Sequence, residues 1–148
     1  MSSVIFPLTL QGTYFNQYYI IAKVNNYILP ILIDTGSSIS CIQSKFCTSF
    51  QSITNPIYIS RCFDSDYELN MSTIVEIAFD NEKDYKLALL VHDPKTMEIP
   101  LILGVYFLDA LQSYTITYDH LYLTINGYVH VLDRILLSQH ELKEQLGL

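Results

Sequence analysis

The sequence is poor in basic charge. Eight Lys and Arg stand against fifteen Asp and Glu, a formal net charge of −7 at pH 7. Binding to a phosphate backbone needs clustered Lys and Arg, so this balance argues against a nucleic-acid partner. Cysteine is scarce too: Cys41, Cys47 and Cys62 make an odd count with no Cys-x-x-Cys pair. Neither a disulfide framework nor a cysteine zinc site is indicated, and three reduced thiols fit a reducing, intracellular compartment. The four His, at 92, 120, 130 and 140, show no metal-ligand spacing, so neither a metal nor any other cofactor is expected. No long apolar run exists. The longest stretch, residues 18–33, is broken by Lys23, Asn25, Asn26 and Pro30. A bilayer span needs ~20 apolar residues, so no membrane association is expected. Residues 1–7 have no basic segment leading into an apolar one, and secretion is not expected. Five Gly and five Pro are too few for a collagen-like or low-complexity chain.

What the sequence has is apolar and β-prone mass. Half of the 148 residues are hydrophobic, and twelve Tyr and seven Phe accompany many Ile, Val and Thr. The length suits one domain, 1–148, with a core over about residues 4–132 and a helical extension over about 133–148. Apolar residues mostly alternate with a period of two. Residues 18–24 and 27–33 read as a hairpin around Asn25-Asn26, a pair that tolerates positive φ. A short strand follows at 39–42, then a weak helical turn at 44–50. A long hairpin is expected from 56–62 and 67–79, then strands at 85–91 and 100–103. A short helix over 105–112 puts Phe107, Leu108 and Leu111 on one face. Three short strands at 114–118, 121–125 and 128–132 turn at Asp119-His120 and Asn126-Gly127. A leucine stripe from Leu132 to Leu146, with Gly147 beyond it, predicts a helix over 133–146.

One segment carries chemistry. At the end of an apolar strand, Ile31-Leu32-Ile33, stand Asp34, Thr35, Gly36, Ser37 and Ser38. A carboxylate at the end of a buried strand is expected to be partly desolvated. Gly36 permits a sharp turn and close approach of a substrate chain. Thr35 and Ser37 offer hydroxyls that can orient the turn or the carboxylate. An Asp-Thr-Gly tripeptide alone also occurs by chance in ordinary turns.

Its context is more specific. The runs Leu32-Ile33-Asp34-Thr35-Gly36-Ser37-Ser38 and Leu101-Ile102-Leu103-Gly104-Val105-Tyr106-Phe107-Leu108, in that order, resemble the retropepsin-like aspartic proteases. The run Ser113-Tyr114-Thr115-Ile116-Thr117-Tyr118-Asp119-His120-Leu121 is similar to members from plant pararetroviruses, the caulimovirus and badnavirus–tungrovirus group. The resemblance covers about residues 18–125. It implies an all-β fold, a closed acid-protease barrel with one short helix before the last strands, here followed by the C-terminal helix.

It also implies a homodimeric aspartic endopeptidase that cleaves a viral polyprotein, without a cofactor. By this resemblance Asp34 is the catalytic carboxylate, and Thr35 the residue that locks two active-site turns together. Gly36 offers substrate its backbone carbonyl, and Ser37, with Ser38, supports the active site. Leu101, Ile102 and Leu103 line substrate pockets and back the turn. Phe63, Asp64, Ser65, Asp66 and Tyr67 occupy the place of the flap, although the tip lacks the family's frequent Gly. After Gly104 stands Val105, where retroviral members often have Arg, and Ser38 replaces that arginine's usual Asp partner. Packing and hydroxyl bonds must then support the site. The implied location is the host cytoplasm or the virion, after release from a polyprotein.

Peptide hydrolysis of this kind needs two carboxylates sharing a proton. No other Asp in the chain is followed by Thr-Gly or Ser-Gly, so the second carboxylate must come from a second copy. Two other classes stay open. One is a retropepsin-like domain that dimerises or binds peptides with little proteolysis. The other is an unrelated β-barrel binding module with a chance Asp-Thr-Gly. Cleavage lost in Asp34→Asn separates the first from an enzyme, and an exposed Asp34 with no symmetry mate nearby would mark the second.

Overall fold

The computed structural model describes residues 17–59, 67–81, 83–93 and 99–137. Strands β1 (Tyr18–Val24) and β2 (Tyr27–Ile33) form the expected hairpin, in register from Tyr18 opposite Ile33 to Val24 opposite Tyr27. Asn25 and Asn26 take φ values of 47° and 72°, left-handed conformations that asparagine tolerates best after glycine. The Asn25 side chain also ties this turn to its surroundings. Its amide donates to the Phe46 carbonyl at 3.0 Å, and its Oδ1 accepts the Glu76 N–H at 3.0 Å.

The chain continues through β3 (Cys41–Gln43), a 3-10 turn at Ser44–Phe46, and β4 (Gln51–Ile59). Then come β5 (Tyr67–Ala78), β6 (Tyr85–His92) and β7 (Leu101–Leu103). The sheet order is β1-β2-β7-β3-β6-β5-β4, and β5 also pairs with β1 through Lys23–Ala78 and Val24–Ile77. Six strands therefore close a barrel, with β4 added outside β5. Closure removes the exposed edges that an open sheet would present. Inside it, Ile20, Ile31, Ile42, Val75, Leu101 and Leu103 are fully buried. Alternation explains β1: Ile20, Ala22 and Val24 point inward while Ile21 and Lys23 face out.

A five-residue helix, α1 (Val105–Asp109), leads into a second sheet of β8 (Ser113–Ile116), β9 (His120–Ile125) and β10 (Tyr128–Asp133). The β9–β10 turn is Asn126-Gly127, with φ of 52° and 81°, as the dipeptide predicts. Leu121, Leu123 and Leu132 from this sheet enter the barrel's own core, so the two sheets share it. His130 is fully buried and fastens the two sheets: its Nδ1 lies 2.6 Å from Asp80 Oδ2, and its Nε2 lies 2.6 Å from the Tyr85 hydroxyl.

Two expectations need correction. β4 begins at Gln51, well before residue 56, and Pro56 lies where its pairing with β5 shifts register between Ser52 and Ile57. Proline is tolerated there because β4 is an edge strand with a bulge. Helix was also expected from residue 133, but Asp133 completes β10, and Ile135 bridges to Tyr19 through its N–H, 2.9 Å from the Tyr19 carbonyl. Backbone bonding to two strands outcompetes a helical start there. Residues 138–148 lie outside the described residues, as do Phe63, Asp64, Ser65 and Asp66, while Tyr67 opens β5.

Cys41 is buried on β3, and burial pushes its thiol up to about 12. At pH 8 about one such thiol in 10⁴ is ionised, and the thiolate is the nucleophile. Iodoacetamide at pH 8 is therefore expected to leave Cys41 unmodified in the native protein, read by peptide mass mapping. Rapid alkylation at Cys41 without unfolding would contradict its placement.

Candidate active site

The site is built where β2 ends. Ile31, Leu32 and Ile33 are buried, and β7 lies parallel beside them with Ile33 opposite Leu103. This pairing holds the next residue: the Asp34 N–H donates to the Leu103 carbonyl at 2.9 Å. The chain then reverses. The Ser37 N–H donates to the Asp34 carbonyl at 3.1 Å, and the Gly36 N–H donates to Asp34 Oδ1 at 3.0 Å. The carboxylate is thus aimed by its own turn. A Cβ at Gly36 would come within 3.3 Å of Asp34 Oδ1, so glycine keeps the approach to the acid open.

Behind the turn, two chain segments meet at backbone contact. The Val105 N–H donates to the Ser37 carbonyl at 2.7 Å, and the Gly104 N–H donates to Ser40 Oγ at 2.8 Å. Ser37 Oγ donates to the Ile39 carbonyl at 3.0 Å. A Cβ at Gly104 would lie 2.5 Å from the Ser37 carbonyl oxygen and would also overlap that of Ile39. Its φ of −99° is ordinary, so the demand is for space alone. Gly104→Ala should therefore destabilise the fold by about 1–3 kcal/mol, the usual cost of overpacking, and disturb the Asp34 turn. Chemical denaturation measures this, and an unchanged midpoint would show that the segments can separate freely.

Several site residues differ from expectation. The Ser37 hydroxyl bonds within its own segment, Ser38 is exposed, and the hydroxyl that receives the Gly104 N–H is that of Ser40. The hydroxyl-rich run Ser37-Ser38-Ile39-Ser40 held that signal, but the strand pairing that selects Ser40 is not local. Leu101, Ile102 and Leu103 are buried, at 0%, 8% and 0% exposure. They back the Asp34 turn through the β7 backbone and do not line the cleft in front of it. Asp34 itself is half-buried, whereas Thr35 and Gly36 are exposed. A single chain thus leaves this face of the turn open, less enclosed than the strand-end position suggests.

In front of Asp34 lies an open cleft of about 360 Å³. Gln17, Tyr18, Ile33, Asp34, Thr35 and Ile116 line it, so one acid sits among apolar and aromatic walls from both sheets. Among the described residues no cluster of His, Cys, Asp and Glu could hold a metal ion. No helix there is long and apolar enough to cross a membrane.

A closed six-stranded barrel with an Asp-Thr-Gly turn braced by an apolar-Gly strand defines the retropepsin-like class of fold. The retroviral protease-like domain of Ddi1 from Leishmania major shares it, with a TM-score of 0.59 at 14% identity over 80% of this chain and 94% of that one. In sequence, the chain is 35% identical to Uncharacterized protein 7 of Soybean chlorotic mottle virus, covering 76% of this chain and 74% of that protein. It is 29% identical to a polyprotein of Cassava vein mosaic virus over 89% of this chain, and spans only 11% of that polyprotein's length. No protein-family model matches the chain. The chain belongs to one family with Uncharacterized protein 7 of Soybean chlorotic mottle virus, among plant pararetrovirus proteins, and it has the retropepsin-like fold.

Proposed function

We propose that two copies of this chain form an aspartic endopeptidase that cleaves a viral polyprotein, with Asp34 of each copy at the shared site. The carrying observation is the half-open Asp34 turn: Leu103 and Val105 brace it from behind, the Gly104–Ser40 bond fastens the segments beside it, and it faces a cleft in front. A chain with one such turn holds half of the machinery, and a two-fold axis supplies the other half.

In the reaction one carboxylate is ionised and the other protonated. The ionised one takes a proton from water as the water oxygen bonds to the peptide carbonyl carbon. The protonated one gives its proton to the carbonyl oxygen, producing a tetrahedral diol. Collapse of the diol breaks the C–N bond: the newly protonated carboxyl gives its proton to the leaving nitrogen, a diol hydroxyl gives one to the other carboxylate, and the pair returns to its starting state. Thr35, exposed beside Asp34, is the candidate lock between the two turns, and Gly36 the candidate backbone contact to substrate. Tyr18, Ile33 and Ile116 favour apolar or aromatic side chains next to the cut. The natural setting proposed is the host cytoplasm or virion, after release from a precursor.

The test incubates the full chain with a peptide library and with precursor fragments spanning its own flanks, products being read by mass spectrometry. Cuts flanked by apolar residues support the reading. Absence of cleavage by a demonstrated dimer would overturn it.

A further inference from the structure

The two walls of the Asp34 cleft come from different sheets. Gln17 immediately precedes β1, which Tyr18 opens, and Ile116 ends β8. One side chain joins them. Arg134 Nη2 donates to the Gln17 carbonyl at 2.9 Å, and its Nη1 donates to the Tyr118 carbonyl at 3.2 Å. Its guanidinium carbon stands 4.9 Å from the Tyr18 ring centre and 5.2 Å from that of Tyr118. The planar fork suits this task, because it stacks on aromatic faces while its edges donate in fixed directions.

The backbone repeats the pattern. The Arg134 N–H donates to the Asp119 carbonyl at 2.8 Å, and the next N–H, of Ile135, donates to the Tyr19 carbonyl at 2.9 Å. The segment therefore crosses from the small sheet to the barrel, and Arg134 fastens it at both ends. Gln17 is fixed from a second side, since its Oε1 accepts the Tyr19 hydroxyl at 2.8 Å. Tyr18 depends on the arginine more. Among the described residues its own hydroxyl is buried without a hydrogen-bond partner, and the guanidinium packs against its ring. The Asp34 turn has none of these supports. It hangs on the Leu103 carbonyl and the Val105 N–H, on the other side of β2.

We propose that Arg134 is a positioning residue that clamps the Gln17–Tyr18 wall of the Asp34 cleft to the end of β8 and so sets the fit of a bound peptide. The inference rests on the protease reading and adds a determinant of substrate fit. Losing the clamp loosens the walls and leaves the carboxylate's own bracing in place. Binding should suffer more than chemistry.

The experiment compares wild type, Arg134→Ala, Arg134→Lys and Asp34→Asn as full chains. Turnover is measured on a peptide with apolar residues flanking the cut, and amide hydrogen exchange on the free proteins. Arg134→Ala is expected to raise KM about tenfold with kcat within about threefold. Arg134→Lys, which keeps the charge but has one ammonium for two carbonyls, should fall between. Exchange at residues 18–20 and 117–120 should quicken in Arg134→Ala and stay unchanged in Asp34→Asn. A general loss of structure would lower kcat and speed exchange across the barrel, and that result would overturn the clamp. So would an active Arg134→Ala enzyme whose KM stays within twofold of wild type. A wild type that cleaves nothing sinks the protease reading, and the local exchange then decides the clamp by itself.

Discussion

Replacing Asp34 by Asn is expected to cut cleavage by at least about a thousandfold while leaving the fold intact. The substitution keeps size and shape. The Asp34 N–H and carbonyl bonds to Leu103 and Ser37 are backbone bonds and survive it, and the Asn Oδ1 can still accept the Gly36 N–H. What disappears is the proton acceptor. An amide cannot take a proton from water near neutral pH, and it cannot return one to the substrate. A positioned acid–base group contributes roughly 10²–10⁴ in rate, and this change removes both members of the pair at once. Mixing sharpens the result. If inactive and wild-type chains exchange freely at equal amounts, about a quarter of the dimers carry two Asp34 and half carry one. Activity should then follow the square of the wild-type fraction. A linear dependence would mean that each chain works alone, and residual turnover within tenfold of wild type would remove Asp34 from the mechanism.

Much of this architecture is legible in the residues, and the misreadings share a cause. Asn25-Asn26 and Asn126-Gly127 declare their turns because positive φ is a local property, and both turns form where the dipeptides place them. The Ile31–Ile33 run into Asp34 is legible because a strand buried on both faces needs a continuous apolar stretch. The start of β4 is hidden for the opposite reason. Gln51 to Thr54 lie on an exposed edge strand, so no apolar alternation marks them. The start of the stripe, over residues 132–137, misleads because buried leucines spaced along an extended segment mimic a helical face. Leu132 and Leu137 are both buried, yet one lies on β10 and the other beyond the bridge to Tyr19. Ser40 and Arg134 are missed because their partners, Gly104 and Gln17, are 64 and 117 residues away along the chain. Within the site, the acid and its glycine are local and legible, whereas the groups that brace them are chosen by the closing of the barrel.

Dilution should abolish activity just as thoroughly. Each chain offers one Asp34 turn, open on the side that faces away from β7, so the proposed catalysis requires two chains at once. Well below the dissociation constant, dimer concentration falls as the square of protein concentration. Specific activity should then drop about tenfold for each tenfold dilution. Charge sets where this begins. Each chain carries −7, and a dimer doubles that to −14, so self-repulsion opposes association. Salt shortens the reach of that repulsion, to ~10 Å at 0.1 M and ~3 Å at 1 M. Raising ionic strength should therefore move the loss of activity to lower protein concentration. Thr35→Ala should move it the other way, by removing the exposed hydroxyl proposed to join the two turns. Sedimentation and turnover measured on the same samples connect the two quantities, and the curves should superpose at every salt concentration. If activity per chain stayed constant into a range where sedimentation shows only monomer, the shared site would be refuted, since a lone chain has no second Asp-Thr-Gly turn to complete it.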